Sequence, residues 1–211
     1  MRESANQRSH EATFLKGVAE SPATGAKSLP VPPKPVVGPI AKPPAGVAWG
    51  SRVSDLFKTK VSAICKNLGC SDNDLMATIA VESGETFAAT NRSSDNKSIG
   101  LLRFSAVSAS EMGTTVAELA TLSAEDQLDY VEKHLRRYKG RVGNLGDLYM
   151  AVFFPKAIGE QDNFVIFDKE ASAFNRFSNL DTDEDGKITK AEVVQRVRQS
   201  QQRGLLPANR G

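Results

Sequence analysis

The chain has 211 residues, 40% of them hydrophobic and 25% charged, which is the composition of a globular protein with room for one domain of ordinary size plus appendages. No apolar run reaches the roughly 18 residues of a membrane-spanning helix, so no membrane insertion is expected. The net charge of +2 gives no reason to expect a nucleic-acid partner.

The N-terminus, "MRESANQRSHEATFLKG", lacks the apolar stretch of a cleaved export leader, and none is expected. Within it, "HEATFLKGVAE" can form a short helix on contact with a partner. Eight of the ten prolines fall between Pro22 and Pro44, densest in "SLPVPPKPVVGPIAKPPAG". That composition favours a disordered or extended spacer that buries no core, so residues 1–50 are read as an arm and linker.

From Trp49 onward the pattern is one of successive helices. "VSDLFKTKVSAICKNLG" spaces Val53, Leu56, Phe57, Val61 and Ile64 along one face. Cys65 and Cys70, the only cysteines, either bridge in an oxidising compartment or remain free thiols; neither belongs to a metal-ligand set. Ser71 and Asp74 have the form of a capping box, predicting a helix from about Asp72 to Ser83, with Gly84 as its stop. On that helix Glu82 lies one turn beyond Ile79 and two beyond Leu75, on the side expected to face the core. A carboxyl without hydration or a neutralising cation has a raised pKa and can hold and donate a proton near neutrality. The alternative is a helix-end Glu that swings back to water.

The loop "GETFAATNRSSDNKSIG" is long enough to line a cleft. Ser123 with Asp126 predicts the start of a helix carrying Leu128, Val131, Leu135 and Tyr138. Its C-terminal run "EKHLRRYKGR" is either a solvated basic face or a surface for an anionic polymer. Asn144 with Asp147 starts another helix in "NLGDLYMAVFFP", which Pro155 ends. No segment alternates apolar and polar residues over a strand's length, and the fold is expected to be mainly α.

Residues 181–192, "DTDEDGKITKAE", fit a calcium loop of the EF-hand kind at every position. Asp181, Asp183 and Asp185 supply monodentate carboxylates, Lys187 a carbonyl, Thr189 a water-holding hydroxyl and Glu192 two oxygens, with Gly186 at the sharp turn. Phe174 and Phe177 precede the loop on one helix and Val194 and Val197 follow on another. No second loop is visible, so Ca2+ is expected to clamp the C-terminal helices onto the main domain. The alternative is a solvated acidic turn.

"MATIAVESGETFAATNRSSDNKSIGLLRF" followed by "DLYMAVFFP" resembles the lysozyme-like fold of goose-type lysozymes and soluble lytic transglycosylases, over about residues 55–168. The versions nearest in pattern belong to phage lysins and secreted antibacterial effectors. The resemblance rests on Glu-Ser at a helix end, a Gly-Leu-hydrophobic motif about 18 residues on, and a late Tyr in an apolar helix. It implies a domain over 51–168 followed by the calcium helix-loop-helix over 169–211. It further implies that Glu82 is the catalytic acid and that Ser83, Gly100, Leu101, Leu102 and Tyr149 line the sugar site. Arg103 stands where the family has Gln; it cannot accept hydrogen bonds, and either binds a stem-peptide carboxylate or lies outside the cleft. Asp95 corresponds to a goose-type aspartate that activates water, and otherwise caps a turn; Glu85 is a lesser candidate for the same role.

The implied substrate is the peptidoglycan strand, cut between N-acetylmuramic acid and N-acetylglucosamine. Hydrolysis is the first reading, closure by the sugar's own 6-hydroxyl to an anhydro product the second, and a calcium-dependent wall-binding module without catalysis the third. An effector of this kind would be secreted or delivered to a target bacterium's periplasm. Its partners would be a secretion-machine component and an immunity protein.

Overall fold

The computed structural model describes residues 46–211. The expected arm helix and most of the Pro-rich linker lie outside the described residues. The linker was expected to run to residue 50, but Val47, Ala48 and Trp49 are buried. Trp49 Nε1 donates to Ser200 O at 3.0 Å, and Val47 N–H donates to Gly211 O at 3.0 Å. An indole ring excluded from water anchors its own segment, so the fold begins before the Pro-rich composition has fully given way.

Helices dominate, as expected: α1 (Asp55–Leu68), α2 (Asp72–Ser83), α3 (Ala106–Glu111), α4 (Val116–Leu119), α5 (Ala124–Leu135), α6 (Leu145–Phe153), α7 (Phe174–Phe177) and α8 (Lys190–Gly204). Among the described residues, four short strands form two antiparallel pairs, β1 (Ser98–Ile99) with β2 (Phe104–Ser105) and β3 (Val165–Asp168) with β4 (Lys187–Thr189). The predicted caps at Ser123 and Asn144 form, each side-chain oxygen accepting from the N–H three residues on. The capping box at Ser71 does not: Ser71 is the N-cap residue, but its side chain makes no cap bond. Asp74 instead accepts from Gln201 Nε2 at 2.6 Å, so a contact with α8 replaces the local one.

α2 is the central element, with Leu75 through Val81 all buried. Such a helix meets neighbours on every side. α1, α6 and α8 pack around it, and α5 packs on α1. Phe57, Val61 and Ile64 of α1 are buried as their spacing predicts, as are Leu128, Val131 and Leu135 of α5. The two cysteines are free, with Sγ atoms 3.0 Å apart.

The expected division at residue 168 falls inside one compact unit that runs to Gly211. β3 lies before that boundary and β4 after it, paired with Phe167 opposite Ile188. The helix entering the acidic loop is also shorter than Phe174 and Phe177 suggested: α7 is a single turn, continued by a 3-10 turn at Ser178–Leu180.

Candidate functional site

Glu82 sits on the last turn of α2. Gly84, at φ 64°, ends the helix, and Glu85 and Phe87 also take positive φ, so the chain turns sharply away from the carboxyl. Non-glycine residues in this region are strained and persist only where their surroundings hold them. Ser83 is one such hold: it is fully buried, and its Oγ accepts from Phe87 N–H at 3.1 Å. The Phe87 ring then packs edge-on to Phe57 with centroids 6.0 Å apart. Ser83 therefore shapes the turn from inside the protein.

The opposite side is the hairpin turn between β1 and β2, formed by Gly100-Leu101-Leu102-Arg103. Gly100 has φ +85°, and a Cβ there would overlap the Gln127 side chain. Gln127, completely buried on α5, accepts from Leu101 N–H at 3.1 Å and donates to Ala89 O at 2.9 Å and Leu119 O at 2.8 Å. One amide thus ties both arms of the 84–103 loop to α5. Sequence reading missed it, although Gln127 stands four residues before Val131, on the apolar face of α5. Leu101 and Leu102 are buried beneath the turn.

Arg103, at φ 51°, turns back, and its Nε donates to the Glu82 carbonyl at 2.6 Å. Asn91 Nδ2 approaches the same carbonyl at 3.5 Å. Arg103 therefore places a guanidinium at the C-terminal end of α2, where a cation is favoured by the helix dipole. Tyr149 of α6 is buried, and its hydroxyl lies close enough to the Glu82 carboxyl for each to shift the other's titration. α8 adds an exposed arginine, Arg196, whose charge reaches Glu82 and Tyr149.

Burial raises the Glu82 pKa above its ordinary value; Arg103, Arg196 and the Tyr149 hydroxyl oppose that rise without cancelling it. The residue as a whole is only half-buried, so the carboxyl is crowded by protein while one side of the residue stays accessible. Burial and the neighbouring Glu82 charge hold the Tyr149 phenol well above its usual range, so it stays protonated. A carboxyl with a raised pKa next to a hydroxyl donor can give up a proton near neutral pH.

Asp95 is exposed in the loop, where Oδ1 accepts from Ser93 Oγ at 2.6 Å and Lys97 N–H at 3.2 Å. These bonds, the Ser93 one foremost, lower its pKa and keep it ionised, with Lys97 and Arg176 adding to the effect. It caps a turn, and Oδ2 makes no hydrogen bond to the described residues. Glu85 points elsewhere and pairs with Arg203 of α8 at 2.6 Å. The basic run is locally partnered: Arg137 with Glu111, Arg136 with Glu132, Lys133 with the Met112 carbonyl and Lys139 with Asn67. That is the solvated-face reading.

In the acidic loop, carboxylate oxygens of Asp181, Asp183 and Asp185 lie within 4.8 Å of one another, so the three together could hold a metal ion. Asp181 Oδ2 accepts from Gly186 N–H at 3.1 Å, whereas Oδ1 is buried with no partner. A buried acceptor left alone is costly, and a cation would satisfy it. Glu192 is engaged separately, accepting from Thr189 N–H at 2.8 Å and Thr182 N–H at 2.7 Å. With Thr189 it forms the capping box that opens α8. Burial works against its charge, but these bonds prevail and lower its pKa. Next to it Lys190 is buried and pairs with Asp147 at 2.7 Å. Compared with known proteins, the chain matches no family model, no curated protein and no solved structure.

Proposed function

We propose that the protein is a peptidoglycan glycan-strand cleaving enzyme, a muramidase with the lysozyme-like fold, in which Glu82 protonates the leaving glycosidic oxygen. The observation that carries this reading is a carboxyl with a raised pKa at the end of the central helix, next to the Tyr149 hydroxyl and the Gly100–Arg103 turn. Cleavage of a glycosidic bond needs a proton on the departing oxygen and a stabilised oxocarbenium-like carbon. The Glu82 proton goes to that oxygen, and the Glu82 anion left behind faces Arg103 and Arg196. In hydrolysis Asp95, kept ionised, takes a proton from water as the hydroxide adds to the anomeric carbon. Tyr149 stands beside the Glu82 carboxyl, and Ser83, Gly100 and Leu101 hold the two walls of the sugar site in place.

A second reading draws support from Asp95, which is exposed and tied into its own turn. If it does not reach the water, the muramic 6-hydroxyl closes on the anomeric carbon and the product is an anhydro-sugar, as from a lytic transglycosylase. Clearing of a purified cell-wall suspension tests the enzyme itself. The Glu82→Gln variant is expected to lose at least ~100-fold in clearing rate. Equal clearing would remove Glu82 from the chemistry, and no clearing by either form would leave a wall-binding module without catalysis.

The acidic loop is proposed to take Ca2+ through Asp181, Asp183, Asp185, the Lys187 carbonyl and Glu192 in the EF-hand manner. Oxygen-only donors of this hardness suit Ca2+, and the unpartnered Asp181 Oδ1 fits such an ion. Bound there, the ion would neutralise the acid cluster and hold β4 and α8 against β3 and α6. Delivery to the wall compartment of a target bacterium, by a secretion machine or in phage lysis, follows from this reading. An immunity protein would then protect the producer.

A further inference from the structure

We propose that Cys65 and Cys70 are a dithiol–disulfide site: in the folded protein a disulfide oxidant converts them to an intrachain bond that staples the end of α1 to the entry of α2. The inference stands apart from the cleft and its chemistry, and holds whether or not Glu82 cleaves glycan.

The end of α1 presets the pair. Gly69, at φ 81°, is the left-handed residue that stops the helix, and the N–H groups of Gly69 and Cys70 both donate to the Cys65 carbonyl, at 2.8 and 3.1 Å. The Cys70 bond is the six-to-one bond of a Schellman cap, which lays the side chain after the glycine against one in the last turn of the helix. Such a contact is commonly apolar. Here it joins two sulfurs, the Cys70 thiol donating to Cys65 Sγ at 3.0 Å. The cap is braced from outside, because Gly140 N–H donates to the Leu68 carbonyl at 3.1 Å and Lys139 Nζ to Asn67 Oδ1 at 2.9 Å.

The two thiols differ in access. Cys65 is buried and Cys70 only half-buried, so an oxidant meets Cys70 first. The Cys70 thiol, burial and Asp72 hold Cys65 protonated, which leaves Cys70 as the attacking group. Its sulfur loses a proton and attacks one sulfur of the oxidant; the oxidant's S–S bond breaks, and the released half takes up a proton as a thiol. Cys65 is then relieved of the Cys70 thiol, the foremost cause of its raised pKa. It gives up its proton and attacks Cys70 Sγ, the intrachain bond forms, and the second half leaves as a thiol. Two cysteine thiols are oxidised by two electrons and one oxidant disulfide is reduced to two thiols. The second exchange joins atoms already in contact, so it outruns capture by another oxidant molecule. The chain is therefore a dithiol where thiols are kept reduced and a disulfide where an oxidant prevails.

The test incubates folded, full-length wild type, Cys70→Ser and Cys65→Ser with oxidised glutathione, then denatures, alkylates and weighs each. Wild type is expected to remain a monomer, to become lighter by two hydrogens, and to carry neither alkyl group nor glutathione; a reductant restores two alkylatable thiols. Cys65→Ser is expected to keep one glutathione on Cys70, and Cys70→Ser to keep Cys65 as a free thiol. The disulfide form should melt about 4 °C above the dithiol, because the short loop closed between the two cysteines restricts the unfolded chain. Wild type that keeps two alkylatable thiols, stops at a glutathione adduct or links into dimers overturns the proposal. A disulfide form that melts below the dithiol overturns it too, since the fold would have to distort to close the bond. Should Cys65→Ser fail to fold, its core position being the reason, Cys70→Ser carries the comparison: loss of the two-hydrogen change there upholds the pairing, and its persistence overturns it.

Discussion

Gly100→Ala tests the link between fold and site. At φ +85° an L-residue is strained by about 1 kcal/mol. The larger effect comes from the new methyl, which would overlap Gln127 Oε1 and come within 2.8 Å of its Cδ. Gln127 cannot step aside without loss, because it is fully buried and its amide holds Leu101, Ala89 and Leu119. Each buried group left unbonded costs about 1–3 kcal/mol, so a total near 4 kcal/mol is expected. For a folded unit of this size that lowers Tm by roughly 8–16 °C. Urea unfolding at fixed pH measures the difference, and wall clearing at a permissive temperature should fall as well, since Arg103 leaves the Glu82 carbonyl. A loss below about 1 kcal/mol would refute the claim that Gln127 pins the 84–103 loop.

The Glu82 carboxyl should destabilise the fold at neutral pH. Its folded pKa lies above the unfolded one, so the native state binds more protons and stability falls as pH rises from the unfolded value, about 4.3, through the raised value. Glu82→Gln is therefore expected to melt higher than wild type at pH 7, with the gain vanishing below about pH 4; a lower Tm at pH 7 contradicts this. Saturating Ca2+, at about 100-fold over its Kd, should add about 2.7 kcal/mol, seen as a rise in Tm that a chelator reverses. The same rise persisting in Asp181→Asn/Asp183→Asn would move the ion elsewhere. Lys190→Met leaves Asp147 with only the Gly159 N–H and Asn144 as partners, and is expected to cost about 3 kcal/mol by urea unfolding.

Short-range signals were legible in the sequence. The caps at Ser123 and Asn144, the buried faces of α1 and α5, and the stop at Gly84 follow from a few neighbouring residues, and all three form. Distant contacts were not legible. Ser71 lost its capping partner because Asp74 serves Gln201, 127 residues away, and Trp49 joined the core because Ser200 and Gly204 receive it. The candidate site divides in the same way. Glu82, Gly100 and Tyr149 were visible as a motif, but Arg196 comes from a helix whose path no local pattern reveals. Asp95 was placed in the loop from sequence, yet the bonds that decide its exposure belong to the Ser93–Lys97 turn.

The most direct measurement is mass analysis of the fragments released from purified peptidoglycan by wild type and by Glu82→Gln. The account predicts glycan fragments from wild type with new ends at muramic acid, reducing for hydrolysis and anhydro for internal closure, and almost none from the variant. Release of the same fragments at the same rate by Glu82→Gln would contradict it.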